Sequence, residues 1–100
     1  MFARVSNYKT DDPAKLLEGF EGATGPLEEM PGLAGAYFLV DREGGRGMSI
    51  TLWESEEALN SGVEKANQLR QTAMSGGAGT IESVDHYEVA LTAGHVQLAG

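Results

Sequence analysis

Side chains alternate from the first residues. In Phe2–Lys9, Phe2, Arg4, Ser6 and Tyr8 fall on one face of an extended segment and Ala3, Val5 and Asn7 on the other, which predicts a strand. The period then changes. Asp12 can accept from the free N–H groups of a first helical turn, and Pro13 suits the first helical position. Leu16, Leu17, Phe20, Ala23 or Thr24, and Leu27 follow at spacings of three and four, as on an amphipathic helix. Gly19, Gly22, Gly25 and Pro26 weaken its second half, so a kink or break is expected there before Met30-Pro31-Gly32 ends it. Residues 33–41 and 46–54 read as strands around Arg42-Glu43-Gly44-Gly45, a β-hairpin whose glycines accept positive φ without steric cost. Ser55 caps a second helix, with Glu56 and Glu57 at its positive end and Ala58, Leu59, Val63, Ala66, Leu69 and Ala73 on its apolar side. A glycine-rich loop at 75–79 leads to a last strand over 80–91. Residues 1–91 are thus expected to form one domain, and 92–100 a tail of small residues.

The order β-α-β-β-α-β is the ferredoxin-like α+β arrangement: a four-stranded antiparallel sheet with two helices on one face, because right-handed crossovers place both helices together. The opposite face is left bare. In the second strand Leu33, Tyr37 and Leu39 lie on one side and Ala34, Ala36, Phe38 and Val40 on the other; in the third, Met48, Ile50 and Leu52 oppose Trp53. Strands apolar on both sides are normally buried on both. A bare apolar face of several hundred Å² (about 300–600) invites aggregation, so a homodimer packed sheet to sheet is expected, a dimeric α/β barrel.

Composition narrows the chemistry. The 100 residues carry 7 Lys+Arg against 15 Asp+Glu, a net charge of −8, which argues against nucleic acid or an anionic membrane as partner. With no cysteine there is no disulfide, thiolate or Cys-ligated metal, and His86 and His95 alone make a histidine metal site improbable. No apolar run approaches the ~20 residues of a membrane helix, and polarity arrives too early for a signal peptide, so a cytoplasmic domain is expected. Neither Gly44-Gly45-Arg46-Gly47 nor the 75–79 loop has the pattern of a phosphate cradle. The acidic residues lack calcium-loop spacing.

Three segments resemble the antibiotic biosynthesis monooxygenase family of dimeric α/β barrels, over nearly all of residues 1–91. They are Pro31-Gly32-Leu33-Ala34-Gly35-Ala36-Tyr37, Ile50-Thr51-Leu52-Trp53-Glu54-Ser55-Glu56-Glu57-Ala58, and Glu82-Ser83-Val84-Asp85-His86-Tyr87-Glu88-Val89. The resemblance implies a cofactor-independent oxygenase acting on an aromatic or polyketide-type molecule, a haem-degrading relative, or a member without activity. Haem-degrading relatives carry an Asn on the first strand, matched by Asn7, and a Trp and a haem-ligating His on the second helix. Those two positions fall near Gly62 and Gln71, so the family's haem chemistry lacks its ligand here.

Asn7 lies in phase with Ala3 and Val5, one amide on an apolar face, and a buried amide needs partners. It is read either as orienting a substrate carbonyl or peroxy intermediate, or as satisfied by neighbouring backbone. His86 could act as a base or be a solvated or interface residue. Phe20, Tyr37, Phe38 and Trp53 suit either core or pocket wall. Arg4, on the face expected to meet the partner, would need a carboxylate, and for Arg4 and Arg46 an intersubunit or rim ion pair is favoured over anion binding. The leading expectation is an oxygenase-like protein with a pocket between sheet and helices, lined by Asn7, Phe20, Tyr37 or Phe38, and Trp53. It would need no cofactor and take a small apolar or aromatic ligand. The alternative is a non-catalytic dimeric ligand-binding or stress-response module, which a pocket filled by its own aromatics would favour.

Overall fold

The computed structural model describes residues 1–94, so His95 lies outside the described residues. The strands β1 (Phe2–Lys9), β2 (Leu33–Asp41), β3 (Arg46–Trp53) and β4 (Thr80–Glu88) form one antiparallel sheet in the order β2-β3-β1-β4. The helices are α1 (Pro13–Glu28), α2 (Glu56–Ser61) and α3 (Val63–Ala73), with a short 3-10 turn at Ser75–Gly77. This is the ferredoxin-like arrangement, and no helix among the described residues is long and apolar enough to cross a membrane.

The capping signals act as written. Asp12 accepts from the Lys15 N–H and Ser55 from the Ala58 N–H. In the hairpin, Gly45 adopts φ +65° and Asp41 accepts from the Gly44 N–H. The expected break at Pro26 does not occur: α1 continues to Glu28. Pro26 stands in the last turn, where it removes a single helical hydrogen bond, and buried Leu27 fastens that turn to Trp53 and Leu59. The break falls in the second helical segment instead, where Gly62 (φ −90°, ψ 1°) separates α2 from α3. A Cβ there would lie 2.8 Å from the Met30 terminal carbon and 3.2 Å from the Trp53 ring, so the chain turns where its backbone crosses the indole. The last strand is also shorter than expected, ending at Glu88 with the Val89 N–H donating to the Met1 carbonyl.

Two clusters bind the helices to the sheet. Tyr8, Leu16 and Phe20 pack with Phe38, Val40 and Met74; Leu27, Trp53 and Leu59 pack with Phe2, Met30, Leu33 and Leu69. The helix-covered face of β1 is therefore the one carrying Phe2, Arg4, Ser6 and Tyr8. The pairing of Val5 with Ile50 and of Tyr37 with Ile50 gathers Val5, Ile50, Leu52, Met48, Tyr37 and Leu39 on the opposite, open face. A register shift between Leu33 and Gly35 turns Leu33 over to the helix side, away from Tyr37 and Leu39.

Candidate functional site

The helix side of the sheet encloses a cavity. Arg4, Ser6 and Tyr8 of β1 and Ser49 and Thr51 of β3 make its polar floor, and Phe38 of β2 and Phe20 of α1 make an aromatic wall. Leu69, Arg70 and Ala73 of α3 close it from above. The free volume of the cavity is about 40 Å³, room for only a few waters at about 10–15 Å³ each and well below the roughly 300–1,000 Å³ of small-ligand pockets. Side chains at the mouth must therefore yield to admit even a single ring. Ala23, Leu69 and Ala73 also border a groove between α1 and α3, which gives the cavity its approach from solvent.

The aromatic wall is ordered by edge contacts. Tyr8 meets Phe20 at 5.3 Å between centroids in a T-shaped pair, and Phe20 meets Phe38 at 5.0 Å. The Tyr8 hydroxyl is 2.9 Å from Ser49 Oγ, so one proton is shared across the floor. Trp53 Nε1 donates to Thr51 Oγ1 at 2.9 Å.

Arg4 is the unusual residue. It is 2% exposed, and its guanidinium lies 5.3 Å from the centroid of the Trp53 ring. Its Nε donates to His86 Nε2 at 3.2 Å and its Nη2 to the Leu59 carbonyl at 2.7 Å, while Nη1 is buried without a partner among the described residues. No carboxylate among the described residues pairs with it; the ion pair they contain is Arg46–Asp41, exposed in the hairpin. Burial, and then the charge of Arg70, lower the Arg4 pKa to about 10, which leaves it cationic at neutral pH. Burial also lowers Arg70, which donates to Asn67 Oδ1. His86 accepts from Arg4, so its proton sits on Nδ1; burial, then Arg4 and Arg70, hold its pKa below 6.5 against the opposing pull of Asp85.

Against known proteins, no family model matches the chain. Two uncharacterized proteins of Mycobacterium tuberculosis, from strains CDC 1551 / Oshkosh and ATCC 25618 / H37Rv, are each 35% identical over 65 residues. That stretch is 65% of this chain and 27% of theirs, so the match spans about a quarter of those relatives. Among solved structures, the haem-degrader MhuD of M. tuberculosis, with two haems bound, superposes with TM-score 0.72 at 22% identity, over 94% of this chain and 100% of that one. The ActVA-Orf6 monooxygenase of Streptomyces coelicolor, in complex with nanaomycin D, has TM-score 0.67 at 25% identity, over 98% and 92%. SnoaB, a cofactor-independent oxygenase of Streptomyces nogalater, has TM-score 0.68 at 13% identity, over 91% and 94%. The chain resembles the antibiotic biosynthesis monooxygenases.

Within that monooxygenase fold, the residues singled out from the sequence separate. Phe20 and Phe38 line the cavity. Trp53 lies one layer behind it, fully buried and reaching the site through Arg4. His86 lies on the outer side of Arg4, beside a surface hollow formed with Phe2 and Leu59. Asn7 and Tyr37 do not line the pocket. They belong to the open face, where Asn7 Nδ2 donates to Ser83 Oγ at 3.0 Å. That donation supplies the partner the amide needs from a side chain on β4, just before the bulge at Asn7/Tyr8. Arg4 is likewise corrected: it faces the helices, not a sheet-packed partner. Arg70 and the hydroxyls of Ser6, Tyr8, Ser49 and Thr51 line the cavity without having been singled out in the sequence, and Arg4 lines it in place of the expected ion pair. The available signal was the polarity of Arg4-x-Ser6-x-Tyr8 and Ser49-x-Thr51, two strands whose cavity side carries hydroxyls where a plain core would carry aliphatics.

Proposed function

We propose that the chain is an oxygenase of the cofactor-independent kind, acting on a small aromatic molecule held in the helix-side cavity, and working as a homodimer joined through the open sheet face. The observation that carries this reading is the cavity itself, with aromatic walls from Tyr8, Phe20 and Phe38 over a floor of hydroxyls and a guanidinium. An electron-rich phenol can supply its own reducing power. Loss of the O–H proton gives a phenolate, its ring carbon adds O₂ to form a hydroperoxide, and loss of water leaves a quinone, so that one phenol and one O₂ become one quinone and one H₂O. The protein's part is to stabilise the phenolate with Arg4 and the Tyr8–Ser49 hydroxyl pair, and to keep water from the peroxide with Phe20, Phe38 and Leu69. The likeness to SnoaB and to the ActVA-Orf6 monooxygenase supports the reaction class.

A second reading, a ligand-binding module without chemistry, draws on a different feature. Among the described residues no carboxylate or imidazole lines the cavity, so no side chain there is an obvious base near neutral pH. Oxygen uptake separates the two. With 1-naphthol or a dihydroxynaphthalene, the wild type should consume one O₂ per quinone formed. Ala23→Phe, which plugs the mouth, should slow uptake at least about tenfold, the loss of about 1.4 kcal/mol of binding or more. No uptake by the wild type, or equal uptake by the plugged variant, overturns the oxygenase reading.

A further inference from the structure

Arg4 poses a problem that the fold does not solve. A buried guanidinium is tolerated when it is paired and its donors are satisfied. Here Nε and Nη2 have partners, both neutral, and Nη1 has none among the described residues. A second guanidinium, that of Arg70, borders the same cavity, so two like charges share a small space without a carboxylate from the described residues. The shortage is not one of supply, since the chain holds 15 acidic residues against 7 basic ones. Nor can a sheet-packed partner answer it, because Arg4 lies on the helix side with Ser6 and Tyr8, shielded from the open face by the sheet itself.

We infer that the cavity is built for an anion: an aromatic carboxylate of one or two rings, whose carboxylate takes the free Nη1 of Arg4 and the guanidinium of Arg70 while its rings lie against Phe20 and Phe38. This rests on the helix-side cavity being the ligand site, and deepens the reading above by naming the substrate class. The hydroxyls of Ser6, Ser49 and Thr51 and the phenol of Tyr8 add neutral donors that a carboxylate accepts without competition from a resident acid. Apolar walls disfavour a bare inorganic anion, which would forgo every contact with them.

The test compares 2-naphthoate with its neutral isostere 2-naphthamide by calorimetry on the intact protein, with inorganic phosphate as competitor. The wild type should bind naphthoate at least about tenfold more tightly than the amide, as expected for a charge-assisted hydrogen bond in a buried site. Phosphate should not displace it. Arg4→Met keeps the stem that packs on Trp53 and should abolish the preference. Arg70→Met, on a partly buried helix position, should reduce it severalfold and serves where Arg4→Met does not fold, as judged by circular dichroism. Equal binding of amide and acid, no binding of either, displacement by phosphate, or a preference unchanged in Arg70→Met each overturns the inference. The two readings fail separately. Naphthoate bound tightly with no oxygen uptake from any phenol removes the oxygenase and leaves the anion site. Uptake from neutral naphthols as fast as from hydroxynaphthoates removes the anion site and leaves the oxygenase.

Discussion

His86 reports on Arg4 from outside the cavity. Its ring nitrogen must stay unprotonated to accept from Arg4 Nε, and partial desolvation together with the two guanidinium charges favours that state although the residue is exposed at the sheet edge. The folded pKa is thus below 6.5, so between 6.5 and the folded value the unfolded chain binds more protons than the native one. This group's contribution to stability is therefore full above pH 6.5, declines as pH falls through that window, and levels off below it. Following the imidazole by NMR should give a midpoint under 6.5. In Arg4→Met the midpoint should rise, since the substitution removes the Arg4 charge, the second of the lowering influences. It should not regain 6.5 fully, because burial, the largest cause, and the Arg70 charge both remain. An unmoved midpoint in Arg4→Met would mean that the Arg4–His86 contact is not formed in solution. His86 is in this sense a positioning residue for Arg4, holding the guanidinium from behind while Trp53 supports its face.

At the scale of elements, glycines that look alike in the sequence of α1 play opposite parts. A Cβ on Gly19 would run into the Ala73 carbonyl at the end of α3; one on Gly22 would meet nothing within 4 Å. Gly19→Ala should therefore destabilise the fold by about 1–3 kcal/mol, the usual penalty for overpacking a close contact. Gly22→Ala should stabilise it by about 0.8–1 kcal/mol, from helix propensity alone. Thermal or urea denaturation of the pair decides the matter, and a common sign for both would contradict the α1–α3 contact. The same contrast shows what a sequence can disclose. Caps, turn glycines and the order of elements along the chain were legible because each depends on a few neighbouring residues: Asp12 with Lys15, Ser55 with Ala58, Asp41 with Gly44. The facing of β1 was not. Its Ala3–Val5 side looks like the core and its Arg4–Ser6 side like the surface, yet the structure reverses them, because the helices cover a cavity and not a plain apolar core. That reversal carried Asn7 and Tyr37 out of the expected pocket and brought Arg4 in. Gly62 was hidden for a similar reason, since the break it makes depends on Met30 and Trp53, distant in sequence.

For the whole molecule, the reversal has a consequence for assembly. The helices cover the face that carries the core clusters and the cavity, and a second set of apolar side chains, Val5, Ile50, Leu52, Met48 and Tyr37, is turned away from them. Leu39 and Tyr87 at its margins are 46% and 56% exposed in the single chain. The sheet is thus apolar on both faces while the described helices cover only one, the condition expected for sheet-to-sheet packing. Ile50, paired with both Val5 and Tyr37, sits in the middle of this face. In a two-fold dimer Ile50→Glu would bury two unpaired carboxylates at one interface, since symmetry repeats every substitution. Leaving a buried charge uncompensated costs about 3–5 kcal/mol, so the dimer should weaken by at least about a hundredfold. Sedimentation velocity at micromolar concentration should then show wild-type dimers and variant monomers. All the cavity residues come from one chain on the other side of the sheet, so the variant monomer should bind 2-naphthoate as the wild type does. A variant that still sediments as a dimer would move the interface elsewhere. One that loses naphthoate with its partner would show that the second copy shapes the cavity across the sheet, a coupling the side-chain contacts within one chain do not require.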